Sequence, residues 1–296
     1  MDGSYFRGIP WQRFKAFISP QADRFALLKE SLEEAGLGYS VLELAGNRHF
    51  VVASPQPKGT LLRRRPSILV AHYDRAPGSP GANDNSSGVF LLLEAAMRLK
   101  SSDAKNWAVI FTDKEELASG ESISAQGAYT LALGFKNLKM EKPKIFCFDA
   151  CGVGDTMVIS TTADYLLKKD GGGEKLQKAV MELQKLALGT ARELGMAKVL
   201  LAPTPFSDDA GFLRAGLAAQ TITMLPSAEC IALVAALRKS PELPGALINA
   251  ELQKDSHAIS IPETWRSLNS PSDSYLRLTP EHFRTVVRFA QALCKG

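Results

Sequence analysis

The chain has 296 residues, 45% of them hydrophobic, enough for one large core or two smaller ones. Its 35 basic and 31 acidic residues leave a formal net charge of +4. That surplus is too small to mark a nucleic-acid binder, and no basic stripe with interleaved aromatics occurs. No stretch reaches membrane-spanning length, and the first residues lack the basic-then-apolar pattern of a secretion signal. Cys147, Cys151, Cys230 and Cys294 show no disulfide-framework spacing. The expectation is a reduced, cytoplasmic protein without a membrane or nucleic-acid partner.

In chain order, residues Ala22 to Ala35 carry helical periodicity. Tyr39 to Leu44 and His49 to Ala53 read as a β-pair around Gly46-Asn47. The run Arg63-Arg64-Arg65 reads as a solvated loop before a strand, with contact to an anionic substrate or partner as the sharper alternative. Strands follow at Ser67–Ala71, Trp107–Thr112, Lys144–Phe148, Thr156–Ser160, Lys198–Leu201 and Thr221–Leu225. Helices lie between them, among them Val89 to Leu99 and the longest, Glu174 to Leu194. Ser240 to Ile261 is rich in Pro and Gly and reads as an insertion or loop excursion. The last helix is expected to start at a Thr279 N-cap with Pro280 in its first position. Strands alternating with helices predict an α/β three-layer sandwich, a mostly parallel sheet with helices on both faces. Without repeats or low-complexity tracts, residues 1–296 read as one domain.

Chemistry-bearing residues gather where strands end. His72 and Asp74 close the first strong strand, and Asp84 follows 12 residues after His72 in the loop Ala71-His-Tyr-Asp-Arg-Ala-Pro-Gly-Ser-Pro-Gly-Ala-Asn-Asp-Asn-Ser-Ser-Gly88. Thr112-Asp-Lys-Glu-Glu116 follows the next strand, and Asp149 ends the Lys144–Phe148 strand. Each has an ordinary explanation alone: a hydrogen-bonded histidine, an N-cap, a solvated helix start, a turn-forming aspartate. In a parallel sheet, however, all these strand ends lie along one edge. Crowded carboxylates raise one another's pKa unless a cation sits among them, and a mix of histidine nitrogen with carboxylate oxygen suits zinc. Asp74 is then placed to accept the second ring N–H of His72.

Taken together, His72-x-Asp74, Gly81-Ala-Asn-Asp84-Asn-Ser-Ser-Gly88, Glu115-Glu116 and Asp149 resemble the zinc exopeptidases that include the double-zinc bacterial aminopeptidases, with the glutaminyl cyclases as relatives. The resemblance extends to Ser207-Asp-Asp-Ala-Gly-Phe212, Gly216, Pro262-Glu-Thr-Trp265 and Ser270-Pro-Ser-Asp273-Ser. It implies a zinc-exopeptidase-like sandwich. It also implies that His72, Asp84 and Asp149 hold one ion, and that Asp84 bridges to a second held with Glu116. Asp74 orients His72, and Glu115 is the general base that takes a proton from water. A cis peptide bond is implied at Asp84–Asn85.

The pattern breaks at the last ligand, where Asn269 stands in place of the family's histidine, and at Asp209, where the family often has histidine. A neutral amide oxygen is a far weaker zinc ligand than imidazole. Three outcomes stay open: a weak second site through Asp84, Glu116 and the Asn269 amide, a one-ion site, or rescue by another histidine such as His257. His282 lies on the terminal helix, and His49 reads as structural. Cys147 and Cys151 read as small buried hydrophobes. The expected cofactor is one or two zinc ions or another divalent metal, and the expected substrate a peptide. The leading reading is a metal-dependent exopeptidase of aminopeptidase type. The alternatives are a non-hydrolytic metal- or peptide-binding descendant and a glutaminyl cyclase, the last set back because Asn269 removes one of the three ligands such a site needs.

Overall fold

A computed structural model describes residues 11–55, 65–169, 173–248 and 261–295. Arg63, Arg64, His257, the 249–260 part of the excursion and the first ten residues lie outside that range. Eight strands form one sheet: β1 (Ser40–Leu44), β2 (Asn47–Ala53), β3 (Ser67–His72), β4 (Trp107–Thr112), β5 (Lys144–Phe148), β6 (Thr156–Ser160), β7 (Val199–Ala202) and β8 (Ala219–Leu225), in the order β1-β2-β4-β3-β5-β8-β6-β7. The four central strands β4, β3, β5 and β8 run parallel. The β1–β2 hairpin joins antiparallel to β4, and β6 joins antiparallel to β8 with β7 parallel beyond it.

The residues explain the layering. β3 and β4 are buried at every position, because helices cover both faces of the sheet and leave no polar side. Within β3 the faces alternate: Leu69 and Ala71 join one core with Phe14, Phe90, Phe148 and Phe289, while Ile68 and Val70 join another with Leu131, Phe135 and Phe212. The first core is closed by α1 (Trp11–Phe17), α2 (Arg24–Glu34), α3 (Gly88–Lys100) and the C-terminal helix Phe283–Leu293. The second is closed by α4 (Gly127–Asn137) and α7 (Asp208–Arg214); between them in the chain come α5 (Thr162–Lys169) and the 20-residue α6 (Glu174–Glu193). No helix among the described residues is long and apolar enough to cross a membrane.

Three sequence expectations shift in detail. The hairpin turns at Ala45-Gly46, both at positive φ, so Asn47 already belongs to β2 opposite Leu44. After α8 (Ser227–Lys239), the start of the supposed excursion forms the helix α9 (Leu243–Ile248), with Leu243 and Leu247 packed on Leu233 and Trp265 in a third core. Thr279 does not cap the last helix. Its Oγ1 instead accepts the Gly154 N–H at 2.8 Å, a tertiary bond that outbids the local cap, and a single 3₁₀ turn, Pro280–His282, precedes the α-helix.

His49 is wholly buried on β2 and its Nδ1 accepts the Asp113 N–H at 3.3 Å. Burial lowers its pKa from 6.5 to about 4, against the opposing pull of Asp113 and Asp74. Between those values the unfolded chain binds the proton and the folded chain does not, so folding stability falls as pH drops from 6.5 towards 4. The loss attributable to this ring is about 3 kcal/mol. Urea unfolding across that window is expected to show a flatter pH dependence in His49→Gln, whose amide oxygen can still accept the Asp113 N–H.

Candidate metal and catalytic site

β3 and β4 are paired in register up to His72 opposite Thr112, which fixes where both following loops leave the sheet. Asp149 follows β5 directly, and its N–H bonds to the Ile222 carbonyl of β8 at 3.0 Å. Asp84 sits in the wide turn Ala82–Ser87 that feeds α3, and the Asp84–Asn85 peptide is cis. That turn is tied down on three sides. Asp273 accepts the Asn83 N–H at 2.8 Å and the Asp84 N–H at 3.0 Å. The Asn83 Oδ1 accepts the Gly152 N–H at 2.7 Å, and Asn85 Nδ2 donates to the Phe148 carbonyl at 2.8 Å. Gly88 is required here: a Cβ would lie 2.3 Å from Asn85 Oδ1 and 2.7 Å from the Phe148 oxygen.

The result is a triangle of donors. His72 Nε2 lies 3.1 Å from Asp84 Oδ1 and 3.6 Å from Asp149 Oδ1. All three ligand atoms fall within 4.8 Å of one another, the one such histidine, cysteine or carboxylate group among the described residues. Bonds of about 2.0–2.1 Å to a tetrahedral zinc imply edges of about 3.3 Å, so the spacing fits the ion. His72 Nε2, Asp149 Oδ1 and Glu116 Oε1 are buried without a hydrogen-bond partner. Orphaned donors of this kind are the mark of a cation site rather than of a finished polar network.

Asp74 does more than the sequence revealed. Its Oδ1 stands 3.4 Å from His72 Nδ1, a long contact, while Oδ1 and Oδ2 accept the backbone N–H groups of Glu115 and Glu116 at 3.1 and 3.0 Å. The Glu-Glu pair is therefore a loop pinned to the end of β3, not a solvated helix start. Glu115 Oε1 accepts from Gln126 Nε2 at 3.1 Å. The residues beside the two acidic positions, Lys114 and Ala150, have φ of 61° and 50°, as does Asn269 at 57°. Left-handed non-glycine residues are uncommon, and these three border the site.

Electrostatics follow from this crowding. Burial, then the Asp149 charge, pushes the Asp84 carboxyl up. Burial drives Glu115 well above the carboxylate range despite the opposing pull of His72, and Glu116 and Asp149 add to the rise. Glu116 is pushed to about 9 by burial and Asp84. At His72 burial works against the charged ring, but the carboxylates of Asp149, Asp74 and Asp84 carry its pKa well above 6.5. Burial also lifts Asp208, Asp209 and Asp273 to about 7. A divalent cation would relieve this conflict.

Of the expected residues, His72, Asp84 and Asp149 come together. Glu115 and Glu116 line the adjoining cavity of about 610 Å³, and Asn269 is exposed on its lining. His49 and His282 stand outside the donor cluster. Cys147 and Cys151 are buried free thiols whose pKa values burial raises well above the ordinary value, so both are inert packing groups. Gln126 has no sequence signal, since it meets Glu115 only through the tertiary fold. Asp208, which accepts the Thr112 hydroxyl at 2.7 Å, and Asp273 both lay inside family-like segments without an assigned role.

Fold and strand-end site define the class: an α/β zinc-exopeptidase-like sandwich. The chain belongs to peptidase family M28, whose sequence profile matches residues 51–243. Aminopeptidase YwaD of Bacillus subtilis is 45% identical over 53 residues, 17% of this chain and 11% of that protein. The structure of BSAP, a zinc aminopeptidase from Bacillus subtilis, superposes with a TM-score of 0.55 at 19% identity, covering 83% of this chain and 49% of that one. The chain thus spans about half the length of BSAP. A glutaminyl cyclase from Bacteroides thetaiotaomicron superposes with a TM-score of 0.61 at 16% identity, covering 99% of this chain and 97% of the other. At such identities both superpositions report the shared fold.

Proposed function

We propose that the protein is a zinc-dependent aminopeptidase in which His72, Asp84 and Asp149 hold the principal ion and Glu115 is the general base. The observation that carries this reading is the donor triangle, whose Asp84 and Asp149 line one cavity with a half-buried glutamate of raised pKa. When bound, zinc in such a donor set acidifies a water ligand and polarises a carbonyl oxygen. The chain's own residues do the rest. Glu115, fixed by Gln126, takes a proton from the attacking water and passes it to the departing amine. Burial raises its affinity for the proton it accepts. Asp74 keeps Glu115 and Glu116 at the cavity wall by holding their N–H groups. Leu117, Ile123, Phe206, Leu247, Trp265 and Leu268 give the cavity an apolar side, so the first residue of the substrate peptide is read as apolar. The second ion position, built from Asp84, Glu116 and Asn269, is read as weak. The four free, buried thiols fit a reducing, cytoplasmic setting.

Glutaminyl cyclase chemistry is the second reading, since the Bacteroides glutaminyl cyclase shares this fold as fully as the Bacteroides leucine aminopeptidase precursor does. One assay separates the two. Zinc-loaded protein is given peptides beginning with leucine or glutamine, and products are followed by mass spectrometry. Release of free leucine is expected. Loss of ammonia with ring closure from the glutamine peptide would select the cyclase. No product with zinc, cobalt or manganese would sink both and leave a non-hydrolytic binder.

A further inference from the structure

Arg24 opens α2, in a segment that precedes the family-matched residues 51–243. A cation in the first turn opposes the helix dipole, so local structure gives no reason for it. It is nevertheless only 6% exposed, with its guanidinium 4.7 Å above the Phe17 ring. Four of its five acceptors lie on the loop between two metal-site ligands, and the fifth lies two residues beyond the second. Nη1 donates to the carbonyls of Tyr73 and Asp74 at 3.0 and 2.9 Å, immediately after His72. Nη2 donates to the carbonyls of Pro80 and Gly81 at 2.9 and 3.2 Å and to Ser86 Oγ at 2.8 Å, on either side of Asp84. Gly81, at φ 62°, is shaped to this contact: a Cβ there would lie 2.7 Å from Arg24 Nη2.

A buried charge is costly unless it is well hydrogen-bonded, and none of these five acceptors is a carboxylate. Asp74, Asp84 and Asp273 are nonetheless near enough to act on it through their field. The planar fork of an arginine can bind both ends of a loop at once, whereas a lysine ammonium has three donors at a single point. We propose that Arg24 is a positioning residue for the metal site: it clamps the two ends of the 73–86 loop and so sets His72 and Asp84 at ligand spacing before an ion arrives. Outer partners that orient ligands commonly govern metal affinity by about 10–100-fold.

The inference rests on the reading of His72 and Asp84 as zinc ligands. Its test is the zinc dissociation constant, measured by competition with a chromogenic chelator at 10 °C, for the native chain, Arg24→Met, Arg24→Lys and Arg13→Met. Arg13 bonds Glu30 and Glu34 of the same helical pair and touches no part of the loop, so it controls for simple loosening of α1 and α2. Arg24→Met is expected to bind zinc about 10–100-fold more weakly. Arg24→Lys should fall between, and Arg13→Met should match the native value whatever its melting temperature. Excess zinc should restore the kcat of Arg24→Met, which loss of folded protein would not allow. Equal affinities in all four chains would overturn the clamp. Should Arg24→Met not fold, an unchanged constant in Arg24→Lys would do so equally. A native chain that binds no zinc would instead remove the ligand reading on which the inference stands.

Discussion

Replacing Glu115 by glutamine is expected to lower kcat by about a hundred- to ten-thousandfold, the range a positioned general base supplies, while zinc content stays at the native level. The amide is isosteric, and its oxygen can keep the bond from Gln126, so the cavity wall should not move. What disappears is a carboxylate that burial has pushed well above its ordinary pKa. A carboxyl with a raised folded-state pKa weakens folding once pH exceeds its unfolded value, because the unfolded chain then ionises more readily. Stripped of zinc, the variant should therefore melt at neutral pH at the temperature of the metal-free native chain or above it. Kinetics, zinc content and melting temperature together separate loss of a base from loss of structure. Retained kcat would show that some other group accepts the proton. Lost zinc would make Glu115 a ligand.

The strands were legible because a sheet covered on both faces demands continuous apolar runs: β4, β5 and β6 occupy the predicted residues to the position. The site was legible for a related reason. His72 ends a strand and Asp84, Glu115, Glu116 and Asp149 each follow one, and parallel strand ends converge whatever their separation in the chain. The residues that hold those groups in place left no such mark. Arg24 meets backbone carbonyls 49 to 57 residues away, and carbonyls carry no sequence signature. Gln126 is simply the side chain that α4 and its preceding turn deliver to Glu115. Asp74 was assigned to His72 alone, because a carboxylate's hold on distant N–H groups cannot be read from spacing. Thr279 shows the converse: a sound capping motif lost its role when the Gly154 N–H arrived as a tertiary partner.

Asn269→His is expected to raise zinc content, measured by mass spectrometry after dialysis, from about one ion per chain to about two. The reason lies in the residues already poised there. Glu116 keeps a buried oxygen without a hydrogen-bond partner, and burial beside Asp84 pushes its pKa to about 9, an environment that a second cation would stabilise. Asn269 shares the cavity lining with both carboxylates, and four residues on, Asp273 grips the Asn83 and Asp84 N–H groups. The 269–273 segment is thus anchored to the bridging aspartate's own backbone. Histidine tolerates the left-handed φ of 57° nearly as asparagine does, and the position is exposed, so the imidazole has room. Imidazole binds zinc far better than a neutral amide oxygen. Adding Glu116→Gln should return the double variant to one ion, since the new histidine would then lack its anionic partner. Two ions in the native chain would mean that the asparagine or another residue already completes the site. One ion in both native and variant chains would place Asn269 outside the ligand position, and the altered-site reading would fall with it.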